Sequence, residues 1–246
     1  AAAASVDDGP ADAVTDVSAG GGAARCVTRR LGIPASSAGD LIALLPAPTG
    51  SVAFVTDGLG LVGWGAHAAL RVTGPDAAAR IEHWFAEQAS ALGAGGDLGP
   101  ICVVSLGFAP DDESVAVIPE VLIRATEDGV FLTRTGAGKR DWEADAEPVT
   151  APGEVRYSDS ELSVMDFMAA VEIAVRRIRA GEAAKVVLAH GLTARTQFPV
   201  DERFLLAQLA ERYPSCSVYA VDGLIGASPE LLMRRRGPAI TSRVLA

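Results

Sequence analysis

Two Asp-Gly dipeptides, Asp57-Gly58 and Asp222-Gly223, each stand between short apolar runs, and they constrain the fold more than any other feature of the chain. Asp-Gly favours a two-residue turn whose twist matches that of paired strands, so each dipeptide predicts a β-hairpin. The first joins residues 52–56 to 61–65, and the second joins 217–221 to 224–227. Residues 68–73 continue as strand, and further short apolar runs cover 101–106, 114–118, 122–126 and 130–133. Gly74-Pro75, Pro110-Asp111 and Asp128-Gly129 punctuate them, which predicts a meander of antiparallel strands. After the second hairpin, residues 231–233, the basic run 234–236 and residues 240–246 continue the sheet. Between Cys26 and Leu45 the pattern predicts a mixture of helix and loop.

Three helices interrupt this β pattern. Asp76 is placed to cap a helix over 77–92, whose Ile81, Trp84, Phe85 and Leu92 fall mainly on one face. Ser158 and Glu161 have capping-box spacing ahead of a long helix. Leu162, Met165, Met168, Val171, Val175 and Ile178 recur there at spacings of three and four, which predicts a buried face with the methionines as core fillers. Arg176, Arg177 and Arg179 suit its last turns, and Gly181 its end. A third helix spans 201–212, with Phe204, Leu205 and Leu209 inward and Tyr213-Pro214 as its stop. The fold class is therefore α+β, antiparallel sheets flanked by helices. Residues 1–24 read as an Ala/Gly-rich disordered tail, 25–150 as an antiparallel sheet region, and 151–246 as a second region. The charged, Pro-containing stretch 139–153 connects the two.

Charge and composition narrow the functional classes. A net charge of −10 disfavours nucleic acid and anionic membrane as partners. Three widely spaced cysteines, Cys26, Cys102 and Cys216, form no metal-binding pair and fit reduced thiols. No apolar run reaches the roughly 18 residues of a spanning helix, and the first residues lack the pattern of a signal peptide. These features predict a soluble cytoplasmic protein, and a monomer is the expected state. Gly58, Gly60 and Gly63 match GxGxxG, but a strand follows them where a dinucleotide site needs a helix. GAGKR at 136–140 lacks the spacing of a phosphate loop and reads as a turn. His83 reads as an ordinary helix residue.

One titratable side chain stands out. Lys185 heads the run Val186, Val187, Leu188, Ala189, which is bounded by Gly181 and Gly191 and predicts a buried strand. A lysine there either extends its ammonium to water, marking the exposed start of the strand, or sits desolvated. Desolvation favours the neutral amine, the form a general base needs. Glu230 follows the second hairpin in Ser228-Pro229-Glu230. It is open to two readings: a strand-end carboxylate paired with Arg234 or Arg235, or an acid whose pKa burial raises.

GEAAKVVLAH (181–190), then GASPELL (226–232), then ITSRVLA (240–246), resemble the chorismate-utilising enzymes in order and separation, and within them isochorismate synthases most. The similarity is strongest over 158–246 and weaker over 52–133. In such enzymes the lysine of KVVLAR activates water for attack on ring carbon 2 of chorismate, and Lys185 stands at that place. The glutamate of GASPE protonates the hydroxyl leaving carbon 4, and Glu230 matches it, 230 − 185 = 45 residues on. Anthranilate synthases usually carry glutamine in place of the lysine and use ammonia. In the family strand read as PIKGT or PLAGT, aminodeoxychorismate synthases place a lysine that can attack the ring; here Ala246 occupies that place. The resemblance thus implies water as nucleophile, with Lys185 as general base, Glu230 as general acid, and Ser228 and Ala246 beside the substrate.

The chain also departs from the family. His190 replaces an arginine and Val244 a proline. The sequence stops before the family's GT and before the later helix glutamates that bind magnesium. The resemblance therefore implies a Mg2+-dependent enzyme whose metal ligands lie beyond Ala246, with a sheet incomplete at its C-terminal end. The expectation is an amino-terminal portion of an isochorismate synthase, in menaquinone or siderophore synthesis, with little turnover alone. Salicylate synthase, which goes on to eliminate pyruvate, and an inactive homologue that works by binding remain open alternatives.

Overall fold

A computed structural model of the chain describes residues 15–16, 25–33, 37–93, 99–136 and 146–244. The chain divides into two compact units, residues 1–149 with 201–246, and residues 150–200. The region expected as one over 151–246 is therefore split, because its last part pairs with strands from the first half.

The first unit is built on a nine-stranded sheet. In chain order it contains β1 (Thr15–Asp16), β2 (Cys26–Leu31), α1 (Ala38–Ile42), β3 (Val52–Thr56), β4 (Leu59–Val72), α2 (Ala77–Ala91), β5 (Val103–Ser105), β6 (Ser114–Thr126) and β7 (Gly129–Thr135). The second unit supplies β8 (Val155–Asp159), α3 (Val164–Arg179) and β9 (Leu192–Thr196). The first unit resumes with α4 (Glu202–Arg212), β10 (Ser217–Val221), β11 (Leu224–Ser228), β12 (Leu231–Arg236) and β13 (Ala239–Arg243). The main path through the large sheet is β11-β10-β3-β4-β6-β7-β2, with β1 added to β4 and β5 to β6, and every pairing is antiparallel.

Both Asp-Gly dipeptides form the expected turns, with φ positive at each residue: 51° and 74° at Asp57 and Gly58, 49° and 81° at Asp222 and Gly223. Aspartate and glycine tolerate this region far better than bulky or β-branched residues. The runs at 61–65 and 68–73 fuse into the 14-residue β4, and those at 114–118 and 122–126 into the 13-residue β6. Pro119 lies inside β6 opposite Ala66, and the register slips by one residue before Ala68. Proline removes a ladder donor, so a bulge there absorbs the break. The strand after Gly58 also settles the GxGxxG stretch: a Cβ on Gly60 would lie 2.0 Å from the Phe54 carbonyl oxygen, so this glycine serves close strand crossing.

Alternation along β6 sorts the core. Val121, Ile123 and Ala125 join Leu41, Ile42 and Leu45 of the α1 region and Leu206 of α4 in one cluster. Ala116 and Ile118 point the other way, to Ala77, Ile81 and Trp84 of α2. The helices thus cover opposite faces at opposite ends of one long strand.

Several expectations are corrected. Residues 26–45 contain a strand, β2, before helix α1. Asp76 occupies the N-cap position of α2, but its side chain makes no capping bond. Ser158 belongs to β8; α3 is capped by Ser163, whose Oγ accepts from the Asp166 N–H and donates to the Asp166 carboxylate. The fully buried residues of α4 are Glu202, Arg203 and Leu206, while Leu209 is half-buried against the core as expected and Phe204 and Leu205 are half-buried. Residues 231–243 form their own two-stranded sheet, β12-β13, and do not extend the large one. Within the tail expected at 1–24, Thr15 and Asp16 pair with Arg71 and Leu70 of β4, and the remainder lies outside the described residues. So do residues 137–140 of GAGKR.

Candidate active site

Lys185 lies in the second unit, between the end of α3 and β9. The helix stops as its sequence demands. Gly181 has φ of 78°, its N–H bonds to the Ile178 carbonyl, and the Glu182 N–H bonds to the Arg177 carbonyl. This is a Schellman C-cap. The side chains of Arg177 and Glu182 close the same turn with an ion pair of 2.7 Å. From Ala183 the chain runs without regular structure to Gly191.

The strand expected at 186–189 is absent, and these residues are exposed, Val187 at 81%. A strand needs a neighbour to take its N–H and C=O groups, and among the described residues none pairs with this one. Lys185 is likewise exposed and makes no hydrogen bond or ion pair among the described residues. The burial expected around it is therefore not supplied by the described residues.

The far end of the segment is anchored. His190 stacks on Phe167 of α3 with ring centroids 5.0 Å apart and an interplanar angle of 26°. Its Nε2–H donates to the Leu162 carbonyl at 3.0 Å. The residue that departs from the family's arginine is thus the one holding this stretch to α3. No local sequence signal marks the pair, because its partners are 23 and 28 residues away in the chain, by 190 − 167 and 190 − 162.

Glu230 lies in the first unit, in the link from β11 to β12. The Ser228 hydroxyl accepts from the Glu230 N–H at 3.2 Å and is within 3.3 Å of the Glu230 carbonyl, to which it donates. Ser228 and Glu230 are therefore brought together, with Pro229 between them fixing the turn. The Glu230 side chain is exposed. Lys185 belongs to the other compact unit, and Ala246 lies outside the described residues.

A buried charged cluster escaped sequence reading. The Asp201 carboxylate caps α4 by accepting from the Arg203 N–H, and also pairs with the Arg203 guanidinium at 2.7 Å; both side chains are almost fully buried, at 2% and 3% exposure. The remaining guanidinium hydrogens reach the carbonyls of Leu45, Pro46, Glu147 and Pro148. Glu202 Oε2 accepts from the buried Ser51 N–H at 2.7 Å. The bond to Asp201 pushes the Arg203 pKa up, so its charge is permanent. An arginine in the first turn of a helix opposes the helix dipole, and that mismatch was the available clue. The cluster ties residues 147–148, where the chain leaves this unit, to 201–203, where it returns.

Among the described residues no group of three His, Cys, Asp or Glu side chains is placed to hold a metal ion. Among the described residues no helix is long and apolar enough to cross a membrane.

Comparison with known proteins supplies the family. Residues 53–246 match the model of the chorismate binding enzyme family. Isochorismate synthase MenF of Bacillus subtilis is 28% identical over 178 residues, covering 61% of this chain and 38% of that protein. Isochorismate synthase MenF of Pasteurella multocida is 25% identical over 152 residues, covering 54% and 35%. Two solved structures, each 21% identical, share the fold. The menaquinone-specific isochorismate synthase MenF of Escherichia coli has a TM-score of 0.60 over 88% of this chain and 53% of that one. The putative 2,3-dihydroxybenzoate-specific isochorismate synthase DhbC of Bacillus anthracis has 0.56 over 82% and 50%. The chain spans about half the length of these structures and less of the curated relatives. It belongs to the chorismate-binding enzyme family, with isochorismate synthases among its relatives.

Proposed function

We propose that the protein carrying this chain is an isochorismate synthase, in which Lys185 and Glu230 exchange a ring hydroxyl of chorismate for one from water. The observation that carries this reading is the order KVVLAH then GASPE inside the region matched by the family, where the curated relatives are isochorismate synthases. The neutral Lys185 amine takes a proton from water as its oxygen bonds to ring carbon 2. The two ring double bonds shift, the bond from carbon 4 to its hydroxyl breaks, and the Glu230 carboxyl donates the proton with which that hydroxyl leaves as water. Proton return through solvent resets the pair, so the net reaction is an isomerisation.

Each group must begin in the form that burial favours, amine and carboxylic acid. Both are exposed among the described residues, so the enclosing walls come from substrate or from further protein. Ser228 fixes the backbone of Glu230, and Ala246 leaves no competing amine at its position. Magnesium belongs to the proposal through the resemblance; it would offset the two carboxylates of chorismate, and chelation should abolish turnover. The chain alone is expected to convert little chorismate.

Product analysis tests the reading in a form spanning the length of the relatives. Isochorismate is the predicted product, whereas salicylate with pyruvate would replace this assignment by a salicylate synthase. In Glu230→Gln the acidic group is lost, so turnover should fall and the remaining rate should depend steeply on pH; a flat profile at normal rate would remove Glu230 from the mechanism.

A further inference from the structure

The face of the large sheet turned away from α1 and α4 carries a cross-strand row that the proposed reaction does not use. Tyr219 pairs with Phe54, Phe54 with Leu61, Leu61 with Arg124, and Arg124 with Phe131. Their chain neighbours Ala53, Val62, Ile123 and Leu132 are buried in the core cluster, so the row points the opposite way. Phe54 remains 41% exposed.

Over this row lies a cavity of about 370 Å³ whose walls include Phe54, Leu61, Arg124, Asp57 and, from the β12-β13 hairpin, Arg234 and Arg243. Its size suits a small organic molecule. None of the three guanidiniums makes a hydrogen bond or ion pair with a described residue. In a chain of net charge −10, acidic partners abound, yet three guanidiniums and one carboxylate line this cavity. Like charges gathered without partners repel one another, and an anion relieves that repulsion with forked, charge-assisted hydrogen bonds. Phe54 and Leu61 offer an apolar wall beside those donors.

We propose that this cavity, which Lys185 does not line, binds a small organic dianion with an apolar body. The charge calls for two negative groups, and the Phe54–Leu61 wall for a ring or short hydrocarbon between them.

Calorimetric titration of the 246-residue chain with phthalate at neutral pH and about 50 mM salt tests this. Benzoate, with one charge, and inorganic phosphate, with no apolar body, should each bind at least about tenfold more weakly than phthalate. Arg124→Ala and Arg243→Ala should each weaken phthalate about tenfold or more, and Arg124→Lys by less, since lysine keeps charge without the fork. Arg235→Ala should change affinity by less than about twofold, because the Arg235 guanidinium is bonded to the Gly237 carbonyl and does not line the cavity. Lys185→Ala should also leave binding within about twofold. Circular dichroism of each variant confirms its fold, and Arg124→Lys decides the matter if Arg124→Ala does not fold. Phthalate binding weaker than about 10 mM would overturn the proposal. So would binding indifferent to Arg124 and Arg243, or binding abolished by Lys185→Ala, which would place the anion at the catalytic lysine instead.

Discussion

The two compact units use the same kinds of apolar residue to opposite effect. In the first, β3, β4, β6, β7 and β10 bury Val55, Val62, Ile123, Leu132 and Val218 to 1% exposure or less. In the second, α3 has no buried residue, and Met165, Met168, Val171 and Val175 are 72%, 55%, 38% and 39% exposed. The α3 pattern is as regular as any strand pattern in the sheet. What differs is a surface to pack against. Periodicity identifies the face that seeks cover, and only tertiary structure supplies the cover.

Substitutions can break or sharpen this contrast. The largest effect is expected from Arg203→Ala, which removes the buried guanidinium that pairs with the Asp201 carboxylate and donates to four carbonyls. Urea unfolding followed by tryptophan fluorescence should show a loss of about 3–5 kcal/mol. Leu206→Ala removes a fully buried side chain that joins α4 to the main cluster, at a cost of about 3 kcal/mol by the same assay. Gly223→Ala forces a Cβ into the left-handed region at φ 81° and should cost about 1–2 kcal/mol, read from the shift in melting temperature.

Alkaline pH probes the first unit from another side. Burial pushes the Cys102 thiol up from 9.0 to about 11. The raised folded-state value means that the unfolded chain loses this proton first, so stability is fully present below pH 9.0 and declines as pH rises through about 11. Cys102→Ala should flatten that decline in a pH series of unfolding curves. The smallest effect belongs to the second unit. Met168→Ala on the uncovered face of α3 should change stability by less than about 0.5 kcal/mol. A loss several times larger would show that this face is covered in solution.

Legibility in the sequence followed the range of the forces involved. The Asp-Gly hairpins, the helix over 77–91 and the stop at Gly181 were readable because each rests on residues within a few positions of one another. The fusion of the runs at 114–118 and 122–126 into β6 was not, because the bulge that accommodates Pro119 lies on the partner strand β4. The buried strand after Lys185 was misjudged for the opposite reason: its residues suit a strand, but no described strand lies alongside it. In the candidate site, Lys185 and Glu230 drew notice through their places beside apolar runs, and the roles proposed for them and for Ser228 rest on resemblance. The Phe167–His190 stack depends on contacts far apart in the chain, and the Asp201–Arg203 cluster, whose guanidinium reaches back to residues 45–46 and 147–148, was marked locally only by an arginine in the first turn of a helix.

The most direct test of the proposed chemistry is the rate at which 18O from labelled water enters isochorismate, compared between the unsubstituted enzyme and Lys185→Ala in a form spanning the length of the relatives. Activation of water by Lys185 predicts label in the hydroxyl on carbon 2 and a fall in rate of about 10²–10⁴ in the variant. Unlabelled product, or a Lys185→Ala rate equal to that of the unsubstituted enzyme, would contradict it.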